Sequence, residues 1–119
     1  MDATAAKEND RRLFQYFNER NMVAVDQWID EHVSKDFVNH STHFGGSSDK
    51  NGLKEIFRKF AELDMTIELG EMVFEDNVLC FRTIIHIGGQ PVSAGIAMVK
   101  FKDDKIAERW AFSDDLKTL

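Results

Sequence analysis

The chain contains one cysteine, Cys80. No internal disulfide can form, so a reducing compartment is the natural home, and nothing around Cys80 marks it as an activated thiol. Positive charge is also scarce: 15 Lys and Arg stand against 21 Asp and Glu, a net charge of -6. Nucleic-acid binding needs a basic surplus to neutralise phosphate, and docking on an anionic membrane surface needs the same, so both are excluded. No apolar run approaches the roughly 18 residues of a membrane helix. The opening Met1-Asp2-Ala3-Thr4-Ala5-Ala6-Lys7-Glu8 lacks the apolar core of a signal peptide. A cytoplasmic protein is expected. Phosphate loops, nucleophile elbows and dinucleotide fingerprints are missing, as are repeats, low-complexity tracts and linkers. The 119 residues therefore form one domain, 1–119, with enough chain for a single core.

What is present is a change of period halfway along. Residues 4–19 read as a helix whose apolar face is Leu13, Phe14, Tyr16 and Phe17. Lys7, Glu8, Asp10, Arg11 and Arg12 read as its solvated approach. A short second helix carries Val25, Trp28, Ile29 and Val33. After an extended stretch at 36–40 and a loop from 41 to 48, Ser48 or Asp49 caps a third helix bearing Leu53, Ile56, Phe57 and Phe60 on one stripe. Gly52 near its start predicts close backbone packing. From Met65 onward the pattern alternates, giving strands at 65–74, 78–87, 92–101 and 105–114. Turns at Glu75-Asp76-Asn77, Gly88-Gly89-Gln90-Pro91 and Lys102-Asp103-Asp104-Lys105 separate them, and Gly70 marks a possible bulge. Helices first and strands after mean α+β, with three helices packed on one face of a curved, mainly antiparallel sheet.

Strand parity then assigns faces. In the last strand Ile106, Glu108, Trp110, Phe112 and Asp114 share one mostly apolar face, expected to point inward. Ala107, Arg109, Ala111 and Ser113 take the other. Asp114, at the end of an aromatic face, is the leading candidate for a proton-transfer carboxylate; the competing assignment is a strand-end group bonded to loop amides or met by water. In the second strand Leu79, Phe81, Thr83, Ile85 and Ile87 form the more apolar set, which sends Arg82 and His86 outward. With reversed parity they would line a pocket as an anion site.

Several landmarks resemble the SnoaL-like, polyketide cyclase-like branch of the nuclear transport factor two-like superfamily. They are Phe37-Val38-Asn39-His40, Gly52-Leu53-Lys54-Glu55-Ile56-Phe57, the strand from Asn77-Val78 to Phe81-Arg82, and Lys105-Ile106-Ala107-Glu108-Arg109-Trp110 followed by Asp114. The resemblance implies a cone-shaped, cystatin-like α+β barrel with a ligand pocket on the concave side of the sheet, usually in a homodimer. It implies acid/base work on a small, largely apolar molecule without metal or redox cofactor. By it, Asp114 matches the position of the catalytic Asp, and His40 a pocket-side His able to relay a proton or bond a ligand carbonyl. Where such cyclases carry a longer loop between the central strands, this chain has only Ile85-His86-Ile87-Gly88-Gly89-Gln90-Pro91.

Two functions follow. One is a cofactor-independent isomerase, cyclase or hydrolase in which Asp114 moves the proton and His40 and Tyr16 orient the substrate. Tyr16, Trp28, Phe57, Phe60, Met98, Trp110 and Phe112 would wall its pocket, though core packing explains each singly. The other is a non-catalytic dimeric binding module. Metal is not expected, because His40 and His43 lie on a loop with no third ligand. For dimerisation the small residues Ala107, Ala111, Ser93, Gly95 and Ala97 are the expected outer sheet face.

Overall fold

The structure, a computed structural model, describes residues 1–41 and 46–115. Helices α1 (Ala3–Asn18), α2 (Met22–His32) and α3 (Lys50–Glu62) alternate with strand β1 (Val33–Asn39) and precede strands β2 (Met65–Glu75), β3 (Val78–Ile87), β4 (Gln90–Lys102) and β5 (Lys105–Asp115). The five strands form one sheet in the order β1-β5-β4-β3-β2, antiparallel except for the parallel β1–β5 pair. The α+β architecture expected from the sequence is the one observed. Val33 leaves the second helix and begins β1 instead, its backbone extended at the helix end. Among the described residues no helix is long and apolar enough to cross a membrane.

Each helix starts on a side-chain cap that satisfies otherwise unpaired N–H groups. Asp2 accepts from Thr4 at 2.8 Å, Asn21 from Ala24 at 3.1 Å, and Asp49 from Gly52 at 2.9 Å. Three two-residue hairpins link β2 to β5, and all six turn residues take positive φ: Asp76 and Asn77, Gly88 and Gly89, Asp103 and Asp104. That geometry matches the right-handed twist of the flanking strands.

The core lies between the helices and the concave face of the sheet. Phe14 meets Phe57 and Phe81 edge-on at 6.1 and 5.8 Å, and Phe17 packs on Phe57 at 5.5 Å. The concave face is built from Leu79 and Phe81 on β3, Ala97 and Val99 on β4, and Met65 and Ile67 on β2, all buried.

Each strand pair carries a register shift, and two of these bulges bear on the site. One interrupts the β2–β3 register between Leu69 and Met72, at Gly70 as expected. The other lies in β5, where Phe101 pairs with Ile106 but Lys100 pairs with Glu108. Ala107 is the extra residue. An extra residue in one strand reverses the facing of everything beyond it. Ile106 is therefore buried as expected, but from Glu108 onward the expected faces are exchanged. Arg109, Ala111 and Ser113 turn toward the concave side, while Glu108, Trp110 and Asp114 turn to the convex side.

Candidate functional site

A cavity of about 270 Å³ opens between α1, α3 and the concave sheet. Phe14, Phe57, Phe60, Met65, Ile67 and Ile85 supply most of its apolar wall, with hydroxyls from Thr83, Ser93 and Ser113. Among the described residues the only charged side chain in its lining is Arg109. Behind Arg109 lies a smaller void of about 30 Å³, lined also by Asp10, Trp28 and Phe37. Arg109, Phe14, Phe57 and Phe81 border both spaces, so the small void is the floor of the large one.

Asp10 reaches that floor because it occupies the apolar stripe of α1. Ala6, Asp10, Leu13, Phe14 and Phe17 are the buried residues of the helix, at the spacing of one helical face. Asp10 is 4% exposed, and its Oδ2 has no hydrogen-bond partner. Burial pushes its pKa up to about 8, against the opposing pull of Arg109 and Arg11. The placement corrects the expectation of a solvated approach to the helix. The carboxyl is thus mostly protonated at neutral pH, with an ordinary carboxylate some four units lower.

Arg109 is held from β1. Its Nη1 donates to Asn39 Oδ1 at 3.2 Å and to the Ser41 carbonyl at 3.4 Å. Asn39 is 2% exposed and also takes the Ser41 N–H at 3.1 Å, which fixes the amide and leaves its Nδ2 without a partner. Desolvation lowers the Arg109 pKa to about 10, with Asp10 acting in the opposite sense. The guanidinium is still fully charged at pH 7. Both of its acceptors are neutral, and among the described residues it forms no ion pair.

Of the residues singled out from sequence, Phe57, Phe60 and Phe112 line the cavity; Phe112 stands at its rim, 68% exposed. Trp28 borders only the small void and donates Nε1 to the Asn9 carbonyl at 2.9 Å. Tyr16 packs partly buried against the core outside the cavity. The Ala107 bulge carries Trp110 and Asp114 to the convex face, opposite Met98 and Ala94. Asp114 is exposed there, in a shallow hollow with Arg82, Gly95 and Ile96.

His40 also lies on that side. Asn39 pairs with Arg109 and takes the inward position, so His40 faces out, its ring stacked on Trp110 at 4.6 Å and its Nε2 3.1 Å from Glu108 Oε1. Glu108, expected inward, is the convex partner of that pair. Arg82 and His86 face outward as expected, paired with Glu71 at 2.7 Å and Glu68 at 3.3 Å. His43 lies outside the described residues. Among those described, no group of three His, Cys, Asp or Glu side chains could hold a metal ion.

The fold is shared with relatives. The SnoaL-like domain family matches residues 11–109. Among solved structures, wild-type IdmH from Streptomyces antibioticus, a candidate polyketide cyclase, aligns over 91% of each chain at 19% identity with a TM-score of 0.68. TsrD from Streptomyces laurentii aligns over 96% of this chain and 91% of its own at 16% identity and TM-score 0.74. A candidate SnoaL-like isomerase from Agrobacterium tumefaciens covers 90% and 95% at 13% identity and TM-score 0.76. At these identities the likeness shows the fold alone. No curated protein matches the chain by sequence.

Proposed function

Because this chain belongs to the SnoaL-like domain family, we propose that it is a cofactor-independent enzyme of the isomerase or cyclase type, acting on a small, largely apolar molecule. The observation that carries this reading is the protonated carboxyl of Asp10 beside the desolvated guanidinium of Arg109, at the floor of an apolar cavity. A carboxyl with a pKa near the working pH can give and take back a proton with little driving force wasted. Arg109 would hold the substrate oxygen on which charge develops, in a site from which apolar walls exclude water. Asp10 would donate its proton in one half of the cycle and recover one in the other, so no net proton is consumed.

This assignment moves the proton carrier from Asp114 to Asp10. Asp114 is exposed on the convex face, separated from the cavity by the sheet itself. His40 is likewise reassigned to the convex face.

Proton transfer can be followed without knowing the natural substrate. Enolisable apolar ketones such as 2-tetralone, incubated with the protein in D₂O, would show accelerated exchange of their α-hydrogens by NMR. Asp10→Asn should lower that acceleration by about 10²-fold or more, the usual worth of a positioned acid/base group, while Asp114→Asn leaves it within about twofold. Full activity in the Asp10 variant would refute the reading. Tight ligand binding without exchange in the native protein would favour a binding module in the same cavity.

A further inference from the structure

The cavity has an unbalanced charge. Among the described residues its walls are apolar apart from three hydroxyls, and its single charged side chain is a cation. The nearest carboxyl, Asp10, sits behind that cation rather than in the main space, and it makes no direct ion pair with it. The other residues around the floor, from α1, α2, β1, α3, β3, β4 and β5, are apolar. A desolvated guanidinium held, among the described residues, by the Asn39 amide and the Ser41 carbonyl keeps its net charge. Burying a charge without an opposite charge is costly, and a planar fork engaged among the described residues through Nη1 alone has donors to spare for an oxyanion.

We infer that the ligand of this cavity is an amphipathic monoanion, with one anionic oxygen group seated on Arg109 and a compact apolar body between the α3 phenyl rings and the β2–β3 wall. The inference rests on the cavity being the functional site, and it adds the charge class of what enters. Neutral lipids and dianions such as phosphate monoesters fit less well. The former leave the guanidinium unpaired, and the latter bring a second charge into apolar surroundings. Asp10, buried behind Arg109 and pushed toward its neutral form, leaves the guanidinium's charge for such a ligand to balance. One anionic oxygen can come from a carboxylate or from an acidic phenol or enol.

Matched probe pairs on the native protein test this by calorimetry at pH 7. 2-Naphthoate should bind about tenfold or more tightly than 2-naphthamide, a difference of 1.4 kcal/mol per tenfold. 4-Nitrophenol should bind as its phenolate, seen as growth of the visible phenolate band on adding protein, while 4-nitroanisole binds more weakly. A preference confined to naphthoate identifies a carboxylic acid ligand, and one confined to nitrophenolate identifies an acidic phenol or enol; either supports the inference. Arg109→Met should abolish the preference and Arg109→Lys retain part of it. If the methionine variant does not fold, the native-protein pairs decide alone. Equal affinity for charged and neutral partners, or no binding of either anion, overturns the inference. That result would leave the proton-transfer reading standing, because ketone exchange by Asp10 is measured separately on neutral substrates.

Discussion

Asp10 sets a pH signature that the rest of the molecule cannot mask. Its pKa is about 8 in the fold against an ordinary value of 3.8, so between those two pH values the folded state binds a proton that the unfolded chain has released. Stability contributed by this group is therefore present in full below pH 4 and lost as pH rises through 8. Asp10→Asn removes that loss. The variant should be more stable than the native protein near pH 8 by a few kcal/mol, on the order of 1.4 per pKa unit as an upper bound, and the gap should close toward pH 4. Urea unfolding at the two pH values measures it, and a gap independent of pH would mean that Asp10 ionises in the fold as it does in water. The clue to Asp10 was legible: it falls on the 6, 10, 13, 14, 17 stripe of α1. Its charged neighbours Arg11 and Arg12 hid it, because a run of polar residues reads as a solvated turn until the helical phase is counted through it. Arg109 was not legible in the same way. Its inward facing depends on one unpaired residue, Ala107, and a bulge leaves no mark in an alternation that reads smoothly from Ile106 to Asp114.

At the scale of elements, local chemistry was a better guide. The three hairpins fall where Asp76-Asn77, Gly88-Gly89 and Asp103-Asp104 call for left-handed backbone, and the cap of α3 falls on Asp49. Helix α3 matters to the site because Phe57 and Phe60 come from it. Its start is tightly built. Ser47 Oγ donates to Asp49 Oδ1 at 2.7 Å, the same oxygen accepts the Gly52 N–H, and a Cβ at Gly52 would collide with the Ser47 carbonyl oxygen. Asp49→Ala should cost about 1 kcal/mol, the usual worth of a cap. Gly52→Ala should cost more, on the order of 1–3 kcal/mol, since backbone rather than a flexible side chain must give way. Thermal unfolding of the two variants ranks them; a Gly52→Ala protein as stable as the native one would show that the loop before α3 yields freely.

For the whole molecule, the facing of β4, whose Ala97 pairs with inward Phe81, and the reversal in β5 exchange the expected character of the two sheet faces. The small residues expected outside, Ser93, Ala97 and Ala111, line the cavity, where they leave room for a ligand. Of the large ones expected inside, Met98 and Trp110 pair on the convex face, while Phe112, paired with Ile96, stands at the cavity rim. Ile96 is 51% exposed, Met98 37% and Phe112 68%. An apolar patch of this kind on an otherwise acidic surface calls for a cover. We propose a second copy of the chain as that cover, joined face to face about a two-fold axis so that one patch meets its own image. The motive differs from the close approach of small residues expected from sequence, since packing of large apolar side chains now provides it. Met98 is the residue to test, because it lies on the patch but not in the cavity lining. Sedimentation of the native protein at micromolar concentration should show a dimer, and Met98→Lys should shift it toward monomer while leaving naphthoate binding in place. A native monomer at that concentration would refute the dimer. A dimer unchanged by Met98→Lys would place the contact elsewhere on the molecule and leave this sheet face without its proposed cover.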